Sequence, residues 1–479
     1  MAGFSYEDPI VAPATPPGRS AIALIRGTGD RCIDLLAEHF DRRDALLKAP
    51  GRSATVGHLL DASGGDPVDQ VSIVVYRKPR SYTGQDSFEI GCHGNPGVVQ
   101  RILSILLRGG FRPAERGEFT LRAFLSGKMD LTQAEAVQEL VAADTETGRR
   151  LALQRLGGSI RRRIDGIKDQ LTTLMVQVNV QLDYGEDEVE ELPLEASALT
   201  RLLDDIRRLL ASYRTGRLYQ AGATVVLAGP PNVGKSSLFN ALIQEERAIT
   251  DPLPGTTRDY LEVALDIRGI PVRLFDTAGL RTVGEGVESR GIEHSNRLIR
   301  EADFVIRLFD ATEAIQGGQG LGGRRGPYDE PKGEESDQGR RELRVFTKAD
   351  LLSDEELDAA RRALVINGPT PAARTQVQPV FISAVTHVGI PDLEAGLAET
   401  LLGAETAGDA VIDSPRQKAL LEEAAEALEE AVRALEEERT IDLVAEDIQA
   451  ALSALGRITG EVSSDDLLER MFSSFCLGK

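Results

Sequence analysis

The sequence has few cysteines, no long apolar run and no excess of basic residues. Its 479 residues include three cysteines, Cys32, Cys92 and Cys476, which lie far apart and show no C-x-x-C spacing. Neither a disulfide framework nor a zinc site is supported, and a reducing, cytoplasmic setting is expected. The first residues show no basic segment followed by an apolar run, and no stretch of about 18 consecutive apolar residues occurs. Neither export nor a membrane-spanning segment is predicted.

The charge balance is strongly acidic. Lys and Arg total 55 against 76 Asp and Glu, which gives a formal net charge of -21. Such a charge repels phosphate backbones and argues against a general nucleic-acid coat protein. Any RNA contact must be local or shared with a partner. The basic clusters Arg149, Arg150 and Arg155, and 161–163, are candidates, but a solvated helix face is the better interpretation of each.

The chain length predicts about three domains. Residues 1–127 mix alternating strands such as VSIVVYR with Gly/Pro turns and a helical run, Val98–Leu107, which is typical of an α+β domain. Residues 128–221 and 404–479 carry helical stripes, which predict one discontinuous helical bundle. Residues 222–403 alternate strands and helices in the manner of a doubly wound sheet and are interpreted as an inserted domain. Within the insert, 315–341 is rich in Gly and charge and is interpreted as a mobile surface loop without an assigned function.

Apolar residues at three- and four-residue spacing mark the predicted helices. In each stripe, a buried core face is the simplest interpretation. The stripes comprise Ile160, Ile164, Ile167, Leu171, Leu174 and Val178; Leu199, Leu202, Leu203, Ile206, Leu209 and Leu210; Leu420, Leu421, Ala424, Leu428, Val432 and Leu435; and Ile448, Leu452 and Leu455.

A phosphate-binding motif lies between a strand and a helix in TVVLAGPPNVGKSSLFNAL, Thr224 to Leu242. The spacing is Gly229-x-x-x-x-Gly234-Lys235-Ser236. The glycines allow backbone N–H groups to close around phosphate oxygens, the lysine neutralises their charge, and the serine hydroxyl can bind Mg²⁺. These residues predict a nucleotide site.

Downstream motifs predict that the nucleotide is GTP. VRLFDTAGL supplies Asp276, a water-mediated partner of Mg²⁺, and PGTTRD supplies Thr257 as a second Mg²⁺ ligand beside Ser236. In VFTKAD, Asp350 can accept both N–H groups of guanine, a pair that adenine cannot form. The candidate GTP-binding residues are Asn232, Val233, Gly234, Lys235, Ser236, Ser237, Asp251, Pro252, Leu253, Pro254, Gly255, Thr256, Thr257, Asp276, Thr277, Ala278, Gly279, Thr347, Lys348, Asp350, Ser383, Ala384 and Val385.

The glutamine that orients the attacking water in Ras-type GTPases is missing, because Leu280 follows the D-x-x-G motif. Hydrolysis must then use another device or be slow. The side-chain carbonyl of Asn232 could help hold a monovalent cation against the phosphates. Glu288 lies in a polar stretch that could bring a carboxylate toward the γ-phosphate, although from its neighbours alone a solvated loop residue is the better interpretation.

The whole chain resembles one family, the MnmE (TrmE) tRNA modification GTPases of bacteria and organelles. The resemblance rests on IVAPATPPGRSAIALIR, SYTGQDSFEIGCHGNPG, RGEFTLRAFLSGKMDLTQAEAV and ITGEVSSDDLLERMFSSFCLGK. It implies a Ras-like P-loop G domain, an N-terminal homodimeric domain that binds tetrahydrofolate as its 5-formyl or methylene derivative, and an FAD-containing partner, MnmG, in a heterotetramer. Together the partners add an aminomethyl or carboxymethylaminomethyl group to C5 of the wobble uridine of certain tRNAs.

The resemblance also assigns residues. It implies folate contacts at Arg26, Glu89, Lys128 and Lys479, and a catalytic role for Glu288, which reverses the interpretation from its neighbours alone. It further implies a K⁺-dependent GTPase activated by dimerisation of two G domains, with K⁺ ligands at Asn232, Asp251, Leu253 and Thr256. Two positions depart from the family pattern, because Asp251 stands where Thr or Ser is usual and Thr347 replaces Asn.

Two alternative functions and the role of Cys476 stay open at this point. A ribosome-assembly GTPase that alters no base would share the phosphate site but would not explain the N-terminal motifs. A lipid-anchored switch would use Cys476, four places from the end, but Lys479 is not a usual last residue of a prenylation motif and the preceding segment is acidic. Cys476 could instead be a nucleophile at the folate or an unreactive thiol placed beside it.

Overall fold

The computed structural model describes residues 5–61, 65–183, 195–244, 261–276, 297–316, 341–366, 379–403, 410–461, 465–476 and 478. The chain forms two compact units. The first comprises Met1–Gln138, Arg155–Leu202 and Glu423–Lys479, and the second comprises Glu139–Gln154 and Leu203–Glu422. Within the described residues, no helix has the length and apolar character needed to cross a bilayer.

A six-stranded sheet organises the first unit. Its strands are β1 (Ile10–Pro13), β2 (Ile22–Thr28), β3 (Ser53–Leu60), β4 (Pro67–Tyr76), β5 (Ser87–His93) and β6 (Arg112–Pro113). They lie in the order β3-β4-β5-β2-β1-β6, with every neighbouring pair antiparallel except β1 and β6. Alternation along β4 buries Val71, Ile73 and Val75, which places Val74 and Tyr76 on the opposite face.

Helices pack against both faces of this sheet. The first four are α1 (Cys32–Ala37), α2 (Arg43–Leu47), α3 (Pro96–Arg108) and α4 (Glu118–Leu125). The helical run predicted at Val98–Leu107 lies within α3. This helix begins where the Asn95 side chain accepts a hydrogen bond from the Gly97 amide (2.8 Å) and proline occupies its first position.

Long helices follow the N-terminal sheet and return at the end of the chain. Their bounds are α5 (Leu131–Ala142), α6 (Glu146–Leu156), α7 (Ser159–Asp183), α8 (Ala196–Ala221), α13 (Pro415–Glu436), α14 (Ile441–Thr459) and α15 (Asp465–Ser473). In the first unit α7 packs against α14, two helices far apart in sequence. The predicted stripe of α7 is largely correct, because Ile160, Ile164, Ile167, Leu171 and Val178 are buried.

The second unit contains a six-stranded sheet of the doubly wound type. Its elements are β7 (Ala223–Ala228), α9 (Lys235–Gln244), β8 (Leu261–Ile267), β9 (Ile270–Asp276), β10 (Phe304–Asp310), α10 (Ala311–Gln316), β11 (Arg341–Thr347), α11 (Asp354–Ile366), β12 (Val380–Phe381) and α12 (Ile390–Leu402). The strand order is β12-β11-β10-β7-β9-β8, and only β8 and β9 are antiparallel. Together the two sheets and the helices confirm the predicted multidomain α/β class. The carboxyl ends of the parallel strands form the edge where such folds bind ligands.

Candidate functional site

The predicted phosphate loop joins β7 to α9. At Gly229 φ is 153°, and a Cβ there would lie 2.8 Å from the carbonyl oxygen of Leu308. Asn232 adopts a left-handed backbone with φ of 63°, and Gly234 has φ of 99°. The loop therefore follows a path that requires glycine at its first and last positions, as the motif predicts. It ends directly at the N-terminus of α9, where free backbone N–H groups favour anions.

Lys235, the first residue of α9, lies against the loop. Its Nζ donates to the carbonyl oxygens of Gly229 (2.9 Å) and Pro230 (2.8 Å), and the side chain is buried. The ammonium group is thus held beside the phosphate loop. Phosphate oxygens placed in the loop would be neutralised by this group.

A predicted Mg²⁺ ligand, Ser236, contacts Asp276, the predicted water-mediated partner of the ion. The Ser236 hydroxyl donates to Oδ2 of Asp276 over 2.9 Å, although the residues lie on different elements, α9 and the end of β9. Asp276 is buried. Oxygen donors of this kind suit Mg²⁺, which keeps water and phosphate oxygens in its shell and needs few protein ligands. The described residues fit the ion, and no cluster of three or more His, Cys, Asp or Glu arranged for a metal occurs among them.

The predicted guanine motif lies at the end of β11 and in the short 3₁₀ turn that follows, Ala349–Leu351. The Thr347 hydroxyl contacts the carbonyl oxygens of Val233 (2.5 Å) and Phe309 (3.1 Å). Asp350 is exposed on the turn. The Ala349 amide donates to the carbonyl oxygen of Ile382 (3.1 Å) and so joins this turn to the segment that carries the predicted GTP-binding residues Ser383, Ala384 and Val385.

Lys348 has a partner that the sequence analysis missed. Its Nζ contacts Oδ2 of Asp310, at the end of β10, over 2.7 Å. Burial alone would raise the pKa of Asp310, but hydrogen bonds from Lys348 and Thr312 outweigh burial and lower the pKa. The parallel pairing of β10 with β11, which places Asp310 opposite Thr347, is the signal that could have found it.

The segment Ser383 to Val385 forms a tight turn. The buried Ser383 hydroxyl oxygen accepts hydrogen bonds from the amides of Val385 (3.3 Å) and Thr386 (3.1 Å). Ala384 is partly buried and Val385 is 79% exposed. The turn therefore presents backbone and an apolar side chain beside the Asp350 turn.

Several predicted residues lie outside the described part of the chain. In the GTP site they are Asp251, Pro252, Leu253, Pro254, Gly255, Thr256, Thr257, Thr277, Ala278, Gly279 and Glu288, and at the C-terminus Lys479. Asn232, Val233, Gly234, Lys235, Ser236 and Ser237 are all described, on the loop and the first turn of α9.

The first unit brings together two of the predicted folate residues. Arg26 on β2 and Glu89 on β5 are directly opposed in the antiparallel register, and Arg26 Nη2 donates to Glu89 Oε1 over 2.9 Å. Tyr76 was not predicted, yet its hydroxyl donates to the other carboxylate oxygen of Glu89 (3.0 Å). Burial and this hydrogen bond raise the pKa of Tyr76. The three side chains lie on the sheet face opposite the core.

The C-terminal tail lies at the same place. Nη1 of Arg26 donates to the carbonyl oxygen of Gly478 (3.2 Å), and a Cβ at Gly478 would lie 2.4 Å from the carbonyl oxygen of Pro13. Cys476 is exposed, and its carbonyl oxygen accepts from the Gly117 amide (3.5 Å). Lys128 is exposed beside Gly84, and Tyr82 of the same loop lies 6.0 Å below the Arg26 guanidinium.

A buried ion network that the sequence analysis missed supports this end of the unit. Glu118 Oε1 accepts from Arg112 (2.6 Å) and from Arg122 (2.8 Å), and Arg112 also contacts Asp8 (3.2 Å). Arg122 is 1% exposed and donates to the Asp8 carbonyl oxygen (2.9 Å) and to Gln85 (3.0 Å). Burial alone would raise the pKa of Glu118, but the hydrogen bond from Arg112 and the charge of Arg122 outweigh burial and lower it.

The phosphate loop between β7 and α9, the Ser236–Asp276 contact and the Thr347–Asp350 motif on a doubly wound sheet define a P-loop GTPase. Two family models match the chain: "GTP-binding protein TrmE N-terminus" over residues 9–128 and "MnmE helical domain" over residues 131–476. The tRNA modification GTPase MnmE of Treponema denticola is 38% identical over 99% of both chains. That of Thermus thermophilus is 39% identical over 99% of this chain and all of its own. The chain belongs to the MnmE family of tRNA modification GTPases.

Proposed function

We propose that this GTPase acts with an FAD-containing, MnmG-type partner to add an aminomethyl or carboxymethylaminomethyl group to C5 of the wobble uridine of certain tRNAs. Membership of a family whose curated relatives are named tRNA modification GTPases supports the proposal. The -21 net charge favours sharing the tRNA with a partner, because an acidic chain repels phosphate backbones. The reaction takes place in the cytoplasm.

A tetrahydrofolate derivative, 5-formyl or methylene, supplies the one-carbon unit at a site formed by Arg26, Glu89, Lys128 and Lys479. The observation that carries this step is the Arg26–Glu89 pair with the Gly478 carbonyl bound to the same guanidinium. Folate offers carboxylates on its glutamate tail, which basic groups pair with, and a pterin N–H edge, which a carboxylate can accept. Cys476 lies in the same tail, two residues before Gly478, and is the candidate nucleophile at this site.

GTP hydrolysis drives the cycle in the second unit. Lys235 neutralises the phosphates, Ser236 and Thr257 bind Mg²⁺, and Asp350 recognises the Watson–Crick edge of guanine. Glu288 assists attack on the γ-phosphate. K⁺ takes the place of an arginine finger and is held by Asn232, Asp251, Leu253 and Thr256 when two G domains dimerise.

Each function falls to a separate part of a homodimeric chain. Residues 1–127 bind folate and dimerise, 222–403 form the G domain with an insertion at 315–341, and 128–221 with 404–479 form the helical domain. This division assigns the carbon chemistry to a site formed by both ends of the sequence and the nucleotide chemistry to the inserted middle domain. A conformational cycle must then link them.

Mass spectrometry of wobble nucleosides from cells that lack the protein tests the proposal. The C5 substituent should disappear and return with the wild-type gene but not with an Arg26→Ala variant. Arg43→Ala, which removes an exposed arginine of α2, is the matched control. Calorimetry with 5-formyl-tetrahydrofolate should show binding by wild type and Arg43→Ala and loss by Arg26→Ala. An unchanged nucleoside profile in the deletion strain would instead favour an assembly factor that alters no base.

A further inference from the structure

Thr347 occupies the position at which the family's guanine motif carries asparagine. It is the last residue of β11, 3% exposed, and paired in register with Asp310 of β10. Its hydroxyl oxygen lies 2.5 Å from the carbonyl oxygen of Val233, inside the phosphate loop, and 3.1 Å from that of Phe309. The side chain therefore connects the phosphate loop to the strand ends that carry the base-recognition turn.

The hydrogen-bonding capacity of threonine decides what else it can do. A hydroxyl carries one proton and two lone pairs. Both neighbouring groups are carbonyl oxygens, which only accept, so that single proton is committed to them and chiefly to the nearer Val233 oxygen. The Hoogsteen edge of guanine presents N7 and O6, which are also acceptors. Thr347 thus has no proton left to offer to the base.

Asparagine has more side-chain hydrogen-bond donors than threonine. Its side-chain amide carries two N–H donors, so one can bind a phosphate-loop carbonyl while the other faces the base. Threonine keeps the first of these contacts and removes the second. The substitution therefore separates two tasks, positioning the loop and reading the base.

We propose that Thr347 is a positioning residue that holds the phosphate loop through the Val233 carbonyl and takes no part in reading guanine N7. Discrimination of guanine in this chain then rests on the Watson–Crick edge, where Asp350 is the candidate acceptor. Nucleotides altered only at N7 should be accepted like GTP itself. This inference goes beyond the proposed function and depends only on binding of a guanine nucleotide.

The test compares GDP with 7-deaza-GDP, in which a C–H group replaces N7, by calorimetry on the full-length protein with Mg²⁺. For wild type the two Kd values should agree within about twofold. For Thr347→Asn, GDP should bind about fivefold more tightly than 7-deaza-GDP, the value of one added neutral hydrogen bond. The same analogue is used with both proteins. Any general effect of the changed ring therefore cancels when the ratio of the two Kd values in wild type is compared with that in Thr347→Asn.

Two further variants distinguish the contact of Thr347 with the phosphate loop from any contact of Thr347 with the base. Thr347→Val keeps the shape but leaves the Val233 carbonyl unpaired, so it should weaken GDP and 7-deaza-GDP equally, by about fivefold. Thr347→Ser keeps the hydroxyl and should bind both nucleotides as wild type does. The proposal is overturned if wild type prefers GDP by tenfold or more, or if Thr347→Val changes the ratio of the two Kd values.

Discussion

Replacing Glu118 by Gln should lower the local stability of the N-terminal unit far more than the loss of one exposed charge would. The carboxylate binds both Arg112 and the buried Arg122 and also accepts from the Glu115 amide over 2.9 Å. Breaking a buried ion pair by removing one partner costs about 3–5 kcal/mol. The lower end applies here, because Gln keeps an acceptor and Arg122 keeps the Asp8 carbonyl and Gln85.

A loss of about 3 kcal/mol of stabilisation should raise the equilibrium constant for local opening of α4 about a hundredfold, because each 1.4 kcal/mol is a factor of ten in an equilibrium constant. Amide hydrogen exchange of peptides from α4 measures this opening directly, whereas a melting temperature of a chain with several units has no single meaning. Peptides from β11 in the second unit serve as the internal reference. Glu115→Gln, which removes an exposed charge three residues away, is the matched control.

The same network predicts a pH dependence of definite sign. The folded pKa of Glu118 is lowered, so its contribution is complete above the unfolded pKa of about 4.3 and is lost as the pH falls through the lowered value. Protection of α4 should therefore stay constant from neutral pH to about pH 5 and fall below the ordinary pKa of glutamate. Loss of protection by less than tenfold in Glu118→Gln would refute the reasoning.

Ser236→Ala removes a proposed Mg²⁺ ligand, so it should slow Mg²⁺-dependent GTP hydrolysis by more than about 10-fold, the least that is lost even when a group that only orients a ligand is removed; a Mg²⁺ titration measures this. GTP turnover should be faster in K⁺ than in Na⁺, and Glu288→Ala should cut it by about a hundredfold with GTP binding nearly intact; equal rates in the two salts, or lost binding, would contradict these assignments. Iodoacetamide should modify the exposed Cys476 first, because burial raises the pKa of Cys32 and raises that of Cys92 to about 11. Mass spectrometry of the labelled peptides would show the order.

The phosphate loop was predictable because its parts are contiguous in sequence. Gly229 to Ser236 form one loop and one helix start, and the hydrophobic pattern alone located the strand before them. Ser236 begins the helix that follows β7, and Asp276 ends β9, which pairs with β7 in parallel, so the two residues meet at the same edge of the sheet. The doubly wound class rested on the same local patterns, and the observed strand order confirms it.

Local sequence patterns could not predict contacts between distant segments of the chain. Arg26 and Glu89 were named only through the family resemblance, because their contact depends on the register between β2 and β5. Tyr76 and Asp310 were missed for the same reason. The Arg122 contact with the Asp8 carbonyl joins residues separated by 114 positions, and nothing in their neighbours indicates that a buried arginine would lie there.

The contact between Arg26 and the Gly478 carbonyl has a consequence for synthesis of the chain. Its two residues are 452 positions apart. At about 5–20 residues per second, a ribosome completes that interval in roughly 20–90 s. Once Glu89 has been made, the nascent N-terminal domain can form its Arg26–Glu89 pair, but it still lacks the tail that carries Cys476. The folate site proposed above would therefore be incomplete on the nascent sheet, and the Cys476 thiol would reach it only late in translation.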